Sequence, residues 1–525
     1  MGALTLKAFS DELREWEFIE GEGIDPTDSF GVNLRLSIRE NQIFLAEPSD
    51  PANPWLTDKG RLFFDGMFEK SSTKVPDWEY FFENIFELLY FIDHLNFHNN
   101  KNSFSLIFAF ENLSLETLNM LCLLKQMCSL VELRKVEDQK ILNDFESHYL
   151  LNSSTQAPKL HMSTLGILVN VNTRYEGYLL NLTLRQRCLK GGFKVLGVGA
   201  LSDLTFPVYT LGSNFNTLTF MGEGTHVSCQ DVKNADFPVI ITNTELFKRS
   251  DAKVFFEILK YTSILDVAWN GANVLNHNIG SAGLQSLTRI LPLSLDDFSN
   301  FFGLYYINVS LSSLPNIKKL TELQLLNTFQ SGNLLMEKLF VDQNVKPSNE
   351  SYYSNLKGKM FSEYFHLPSN LFFEDNETYI NTQGLVKRAT KMIHFKKDAK
   401  TNWQITRKFY SKAKSVMFFN NKKDSTLLNF DSINSFNFKN YINFQFYAVQ
   451  VLSSLSFYLM KQNSTVTKSY KFSSIKAQKV KVLETKLKNW LDDFFNSNGK
   501  DSFSYNSSSL VNCSKSMRLS TTNFF

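Results

Sequence analysis

A glycine pair is the first feature of this sequence whose type and spacing bear on chemistry. Gly197 and Gly199 follow an apolar run, as the glycines of a dinucleotide-binding loop do. Ser202 stands where such a loop has its third glycine, and no clear helix start follows. A plain turn after a strand is therefore the better interpretation. The pair Gly21 and Gly23 indicates a phosphate loop even less.

Metal-binding residues are equally sparse. His94 and His98 lie four residues apart on a segment with helical periodicity, a spacing that can bind a metal ion. No third ligand accompanies them, so a packed or solvated pair is the better interpretation. The five cysteines, which are widely spread and form no CxxC pair, are Cys122, Cys128, Cys188, Cys229 and Cys513. This pattern argues against a disulfide framework, a zinc site or an iron–sulfur cluster in the chain.

Charged residues point to no special partner. The 55 basic and 52 acidic residues give a net charge of +3, which is no electrostatic reason to expect nucleic acid. One basic stretch, typical of a solvated face, contains Lys387, Arg388, Lys391, Lys396 and Lys397. No nucleophile elbow, phosphate loop or pair of carboxylates stands out. We therefore predict no catalytic, cofactor-binding or metal-binding residue in this chain.

Composition limits the class of protein. With 525 residues, 43% of them hydrophobic, the chain is long enough for about three domains. It has 49 Phe and 23 Gly, a bias that codons rich in A and T produce, and a mitochondrial genome is our hypothesis for its source. The first 21 residues are acidic, unlike a transit peptide, so we expect synthesis inside the organelle. Apolar runs such as Ala448–Met460 are too short to span a bilayer.

The elements that would position any site alternate between strands and helices. Residues 31–39 alternate apolar and polar side chains as a half-buried strand does, and Asn112–Leu130 has helical periodicity with Ser114 as its N-cap. The other predicted elements are helices at Trp78–His98, Tyr178–Cys188, Asp251–Tyr261 and Ala477–Phe495 and strands at Ser103–Phe110, Thr164–Val171, Phe193–Val198 and Phe237–Thr242. The alternation predicts an α/β doubly wound fold.

Changes in composition and hydrophobic periodicity along the chain predict a division into five parts. These are a lead-in segment at residues 1–20, a small β-rich domain at 21–72, a first α/β lobe at 73–235, a second α/β lobe at 236–410 and a variable C-terminal region at 411–525. Within the second lobe, residues 300–365 are rich in Asn and Ser and have weak periodicity, so their structure is not predicted.

Five segments, in one order along the chain, resemble a single family. One of them, Thr378–Gly384, extends further: Leu367, Pro368, Glu374 and Asp375 precede it and Arg388 follows it, and the whole stretch resembles LP…EK…TYVNTEGR. The segments are Asp58–Gly66 (family DKTRFAYDG), Asn172–Arg185 (NPRFEAPLLNARLR), Trp269–Leu275 (WNGLNVL), Thr378–Gly384 (TYVNTEG) and Trp403–Arg407 (WKIIR). The family is the large iron–sulfur subunit of respiratory complex I, and the fourth segment is shared with molybdopterin oxidoreductases. Gly384 then lies in a polar turn where a positive φ is expected.

The beginning of the sequence extends the resemblance. Gly2, Ala3, Leu4 and Thr5 resemble the CPVGALT that carries the last cluster cysteine of this family, and Asp25–Asn33 is similar to IDVMDAVGSN. The resemblance implies the downstream product of a split gene, with every cluster cysteine on a partner chain. Gly2, Ala3 and Leu4 are then expected beside that partner's cluster, where small residues let backbone N–H groups reach sulfur.

The resemblance implies a function and leaves two alternatives open. It implies a fold like that of molybdopterin oxidoreductases and a non-catalytic part of NADH:ubiquinone oxidoreductase on the matrix side of the mitochondrial inner membrane. The chain would support iron–sulfur clusters held by its partner and would contact other peripheral-arm subunits. It would itself bind no cofactor and no nucleic acid, and it would not span the membrane. The alternatives are an active molybdopterin enzyme, which needs phosphate-binding loops, and a stand-alone interaction protein.

Overall fold

The computed structural model describes thirteen segments of the chain and a few shorter pieces. The segments are residues 14–51, 54–68, 105–136, 150–199, 204–249, 251–261, 269–287, 290–293, 301–307, 333–337, 365–368, 372–393 and 400–421. The shorter pieces lie within 78–93, at 264, at 370 and within 507–512. The predicted helix Ala477–Phe495 lies outside the described residues.

Strands and helices alternate through most of these ranges. The strands are β1 (Ile19–Ile24), β2 (Asn33–Arg39), β3 (Gln42–Pro48), β4 (Ser105–Phe110), β5 (Val131–Lys135), β6 (Leu165–Val169), β7 (Lys194–Val198), β8 (Tyr209–Gly212), β9 (Val239–Asn243), β10 (Ala272–Leu275), β11 (Phe301–Ile307), β12 (Asn333–Glu337), β13 (Phe365–Pro368), β14 (Glu377–Ile380) and β15 (Val386–Ala389). The α-helices are α1 (Asp58–Leu62), α2 (Leu115–Met127), α3 (Ala157–Leu160), α4 (Thr173–Glu176), α5 (Tyr178–Leu189), α6 (Asn216–Gly222), α7 (Cys229–Lys233), α8 (Ala252–Tyr261), α9 (Ser281–Leu287) and α10 (Asn402–Asn421). Short 3-10 helices lie at Glu15–Glu17, Phe63–Phe68, Ser153–Thr155, Thr244–Lys248 and Phe372–Glu374. In the described part of the chain, no helix is both long and apolar enough to cross a membrane.

The small β domain is an antiparallel sheet in the order β1-β2-β3. Leu34, Leu36 and Ile38 alternate along β2 with exposed or half-buried residues and face the core, as the sequence pattern predicts. Glu40 and Asn41 join β2 to β3 with φ values of 50° and 63°, the backbone of a tight hairpin turn. The sheet of this domain is therefore formed by strands that are neighbours in sequence.

A parallel sheet in the order β10-β9-β6-β7-β8 forms the doubly wound part of the molecule. In chain order the first strand is β6, which lies between the second and the fourth, so the direction of winding reverses between β6 and β9. Every residue of β6 and β9 is buried, because apolar clusters cover both faces of the sheet. The predicted α/β doubly wound fold is confirmed.

A third sheet has the order β13-β12-β11-β4-β5. The strand β4 pairs in parallel with β5 and β11, whereas β12 is antiparallel to both of its neighbours. Rings of Phe108, Tyr305 and Phe409 meet with centroids 4.9–5.3 Å apart and join this sheet to α10. Strands β11 and β12 fall in residues 300–365, the part whose structure the sequence did not predict.

The two larger sheets interleave along the chain, which corrects the predicted lobe boundary. Strands β8 and β9 lie on either side of residue 235 and belong to one sheet. The third sheet takes β4 and β5 from before this sheet's strands and β11 to β13 from after them. A boundary at residue 235 is therefore wrong. Periodicity reports which face of an element is buried, but it does not report which strands are neighbours.

Candidate functional site

The reversal point of the doubly wound sheet is the place where open α/β proteins hold ligands. It lies at the carboxyl ends of β6 and β9. Asn170 and Asn172 follow β6, and Thr244 follows Asn243, the last residue of β9. We call the polar cleft between these strand ends the crevice. Sequence reasoning missed it, although polar residues directly after two apolar strands were the signal.

A carboxylate of the chain itself occupies the centre of the crevice. Glu176, at the end of α4, accepts a hydrogen bond from the backbone N–H of Asn172 at 3.2 Å. Its other oxygen accepts one from Nδ2 of Asn243 at 3.3 Å. The same Nδ2 donates to the carbonyl oxygen of Asn170 at 2.9 Å. Glu176 therefore links the ends of both strands.

A second acidic side chain borders the crevice on the β9 side. Glu245, whose side chain is 9% exposed, forms an ion pair with Lys248 at 2.8 Å. Nε2 of His277 lies 3.7 Å from the same carboxylate. The carboxylate of Glu245, which Lys248 compensates, therefore directly follows the crevice residue Thr244.

Gly199 closes the third side of the crevice. It follows β7 with φ of +117°, and its N–H donates to the carbonyl oxygen of Gly212 at 2.8 Å. A β-carbon at this position would lie 3.2 Å from the Cα of Asn170. Glycine is thus required for backbone conformation and for close approach. Of the predicted pair, Gly197 lies within β7 and only Gly199 follows the strand, so the predicted turn begins two residues later than expected.

A β-hairpin joins the three sheets at a second polar region, which we call the junction. It is made by residues 372–393, including β14 and β15. The N–H of Thr382 donates to the carbonyl oxygen of Ser29 at 2.9 Å, and its carbonyl oxygen accepts from the N–H of Leu151 at 2.8 Å. Nδ2 of Asn381 donates to the carbonyl oxygen of Phe30 at 3.0 Å. One turn thus contacts the small β domain and the segment that leads into the doubly wound sheet.

The hairpin turn itself is built by Asn381 and Gly384. Oδ1 of Asn381 accepts from the N–H groups of Gln383 and Leu385 at 3.0 and 2.8 Å. Gly384 has φ of +79°. Thr378–Ile380 lies in β14, and the predicted positive φ at Gly384 is confirmed.

Apolar packing on the hairpin completes the small β domain. Phe373 is fully buried, and its ring lies 5.3 Å from that of Phe63. Ile393 belongs to the same cluster as the inward side chains of β2. The predicted domain at residues 21–72 therefore needs residues 372–393 to close its core.

The structure places the remaining predicted residues apart from one another. Arg388 and Lys391 are exposed, as a solvated face requires, whereas Nζ of Lys387 donates to Oδ1 of Asn33 at 3.3 Å and burial lowers the pKa of Lys387. Gly2, Ala3, Leu4, His94, His98, Lys396, Lys397 and Cys513 lie outside the described residues. Among the described residues, no three His, Cys, Asp or Glu side chains are grouped to hold a metal ion.

Three of the five resembling segments lie near one another, and a β-carbon on Gly177, next to Glu176, would lie 3.0 Å from Cδ2 of Leu275. Asn172–Glu176 forms one wall of the crevice, Trp269–Leu275 contains β10, and Thr378–Gly384 forms the hairpin of the junction. N–H and Nδ2 of Asn276, directly after β10, lie 3.5 and 3.4 Å from Oγ1 of Thr382. The sequence showed the order of these segments but not their contact.

The strand order and the crevice define an α/β doubly wound protein with a mixed second sheet. Residues 99–412 match the family of molybdopterin oxidoreductases. The chain belongs to this family.

Curated relatives narrow the resemblance. Over 441 residues the chain is 27% identical to the NADH-ubiquinone oxidoreductase 75 kDa subunit of Reclinomonas americana, which covers 78% of this chain and 59% of that protein. It is 24% identical over 433 residues to NADH dehydrogenase [ubiquinone] iron-sulfur protein 1, mitochondrial, of Solanum tuberosum, and this match covers 78% of this chain and 53% of that protein. It is also 24% identical over 435 residues to the mitochondrial NADH-ubiquinone oxidoreductase 78 kDa subunit of Neurospora crassa, again covering 78% and 53%. The chain spans between half and three fifths of these relatives.

The crevice does not fit the phosphate-bearing cofactor after which the family is named. Nδ2 of Asn243 must face the carbonyl oxygen of Asn170, so its Oδ1 is fixed as an acceptor. Oδ1 of Asn243 and Oγ1 of Thr244 are buried and have no hydrogen-bond partner among the described residues. An ionised phosphate offers only acceptor oxygens, and the carboxylate of Glu176 would repel it. The acceptor Oδ1 of Asn243 and the carboxylate of Glu176 therefore disfavour a bound phosphate group, although the hydroxyl of Thr244 is able to donate to one.

Proposed function

We propose that this chain is a non-catalytic structural part of the matrix arm of mitochondrial NADH:ubiquinone oxidoreductase, respiratory complex I. The observation that carries the proposal is the contrast at the centre of the family fold. The crevice is bridged by the chain's own Glu176, whereas the resembling segment Thr378–Gly384 ties distant parts together. The names of the curated relatives, all NADH oxidoreductase subunits, support the same assignment.

The proposed role is to support an iron–sulfur chain carried by a partner. The cysteines of this sequence lack cluster spacing, and a relative from Solanum tuberosum is named an iron-sulfur protein. We therefore assign the clusters to a separate cluster-bearing chain. Gly2, Ala3 and Leu4 lie beside the last cluster in this proposal and donate backbone N–H groups to its sulfur atoms. Other peripheral-arm subunits are the remaining partners.

Native electrophoresis of mitochondrial membranes tests the assignment. The chain is expected in the band that stains for NADH dehydrogenase activity, identified by mass spectrometry of that band. A denaturing second dimension is expected to separate it from a cluster-bearing polypeptide. Recovery only as a free monomer would support a stand-alone interaction protein and contradict the proposal. Recovery within one longer polypeptide would contradict the separate partner chain alone.

The family match favours one alternative function, an active molybdopterin-dependent oxidoreductase whose iron–sulfur part is on another chain. Elemental analysis of the purified chain separates the two. Stoichiometric molybdenum would establish the alternative, whereas a metal-free chain in an active complex supports the scaffold.

The location follows from the same proposal. The chain acts on the matrix side of the mitochondrial inner membrane as part of the complex, and we propose that it is encoded in the organelle. Sequencing of the mitochondrial genome of the source organism tests the second statement, and a nuclear gene for the chain would contradict it.

A further inference from the structure

A row of three lysines lies at one edge of the helix α10. Lys408 and Lys412 are one helical turn apart on this helix, and Lys400 lies shortly before its first residue. We call these three residues the lysine row. The sequence of α10 also contains Arg407 and Lys414 but no acidic residue. In a chain whose charges nearly balance, this helix therefore carries positive charge alone.

Aromatic rings lie against the three lysines. The distances from Nζ to the ring centroid are 4.5 Å for Lys400 and Trp78, 5.8 Å for Lys408 and Phe82, and 6.0 Å for Lys412 and Phe86. A ring face attracts a cation only weakly at an exposed site. Among the described residues, neither Lys408 nor Lys412 forms an ion pair with a carboxylate. The rings thus position these charges without neutralising them.

The first two lysines of the row lie close to each other. Nζ of Lys400 and Nζ of Lys408 are 6.0 and 5.8 Å from the centroid of the same Phe82 ring. Burial and then the nearby Lys408 lower the pKa of Lys400, and Glu79 partly offsets them. Like charges at this separation repel each other. A partner that supplied negative groups along the row would relieve the repulsion.

The opposite side of α10 holds the row in place. Ile405, Phe409, Ala413 and Val416 are buried, and the helix packs on α2. The row is therefore presented by a fixed element of the core. A partner that binds it does not have to order the helix first, which removes one cost of binding.

We propose that the lysine row binds an extended acidic segment of a neighbouring polypeptide. Lys408 and Lys412 are about 6 Å apart along the helix axis. Side chains on one face of an extended segment are about 6–7 Å apart, so carboxylates at alternate positions face successive lysines. Under the proposed function this polypeptide is another subunit of the peripheral arm. Only the identity of the partner rests on that function, whereas its acidic chemistry follows from the row.

Two other anionic partners fit the row less well. Lysines lie over the rings of Trp78 and Phe82, which also stack on each other, so these rings offer little surface on which nucleic-acid bases could stack. Helices that bind an anionic membrane surface insert apolar side chains into it. Residues 400–416 include no exposed large hydrophobic side chain. Exposed charge without exposed apolar surface favours an acidic polypeptide.

Binding of a labelled peptide to the purified full chain tests the row itself. The probe is a peptide in which Glu and Ser alternate, and a peptide with Gln in place of Glu is the control probe. We expect the acidic peptide alone to bind, and to bind more weakly as sodium chloride rises from about 50 to about 500 mM, because salt screens exposed charges.

Substitutions assign that binding to the row. Lys408→Gln with Lys412→Gln should weaken it about fivefold. Lys408→Arg with Lys412→Arg keeps both charges and should retain it. Lys190→Gln with Lys233→Gln, at two exposed positions beside the doubly wound sheet, is the matched control and should bind like the unsubstituted chain. Equal binding by the two Gln pairs, or an equal loss in the Arg pair, would overturn the proposal.

Cross-linking in mitochondrial membranes tests the partner. A carbodiimide joins lysines to carboxylates that touch them, and we expect Lys408 or Lys412 to be joined to Asp or Glu of another polypeptide. Links to carboxylates of this chain alone would overturn the proposal, as would binding of polyuridylate or of phosphatidylglycerol vesicles without binding of the acidic peptide. Peptide binding and a link to a polypeptide outside the complex would support the row and contradict the proposed function alone.

Discussion

The crevice and the junction are both buried, polar and built partly from segments that resemble one family, yet they use their polar groups differently. In the crevice, Glu176 and Asn243 satisfy the ends of β6 and β9 within the doubly wound sheet. In the junction, Asn381 and Thr382 bind backbone atoms more than 100 residues away. The first region is a polar cleft that the chain's own side chains bridge. The second connects separate sheets.

The difference predicts where substitutions are most damaging to stability. Polar contacts in the crevice join β6 and β9, which backbone hydrogen bonds already pair. Holding sheets together requires contacts that no local segment can replace. We therefore expect substitutions in the junction to be more damaging than those in the crevice.

The largest effect is expected for Phe373→Ala. It removes a fully buried ring that packs on Phe63 and closes the core of the small β domain. The free energy of unfolding should fall by about 3–5 kcal/mol, as measured by urea titration of the full chain. Phe220→Ala, at a position 48% exposed, is the matched control and should change it by less than about 1 kcal/mol. Equal losses would show that the hairpin is not needed for this core.

Asn381→Ala should give the next largest loss, about 2–3 kcal/mol. The substitution leaves the carbonyl oxygen of Phe30 and two N–H groups of the turn without their partner. Asn234→Ala, an exposed asparagine beside the doubly wound sheet, should remain within about 0.5 kcal/mol. A loss at Asn381 no greater than that at Asn234 would remove the proposed distinction between the two regions.

Gly384→Ala tests the turn alone. Its φ of +79° disfavours a side chain, whereas the nearest atom, Cδ1 of Leu150, would lie 3.7 Å from the added carbon, an ordinary contact. Backbone strain should therefore lower the free energy of unfolding by about 1–2 kcal/mol without disturbing packing. Gly384→Asn should recover part of the loss, because Asn tolerates this conformation. No difference between Ala and Asn would contradict strain as the cause.

The smallest effect is expected in the crevice. Glu176→Gln keeps the shape of the side chain but removes its charge, and should cost about 1 kcal/mol by thermal unfolding. Calorimetry with inorganic pyrophosphate should show no binding to the unsubstituted chain or to the variant, since Oδ1 of Asn243 remains an acceptor in both. Binding to the variant would reveal an anion site that Glu176 masks, and would reverse the interpretation of the crevice.

The sequence by itself determined the local elements. Apolar runs predicted β4, β6, β7 and β9, helical spacing predicted α2, α5 and α8, and alternation predicted β2. Ser114 does occupy the N-cap of α2, although its hydroxyl contacts Oγ1 of Thr117 rather than a backbone N–H. Cys128, at the end of that helix, is buried, and burial raises the pKa of its thiol. Cys122, on the same helix, is only partly buried.

Only the tertiary structure decided which elements meet. The position of β11 between β4 and β12, the interleaving of the two larger sheets and the contact of Thr382 with Ser29 join residues that are far apart in sequence. Periodicity records burial, a property of single residues, whereas strand order and polar pairing are properties of pairs. The same reason hid the crevice. Asn243 and Glu176 look like ordinary polar residues until the fold brings them together.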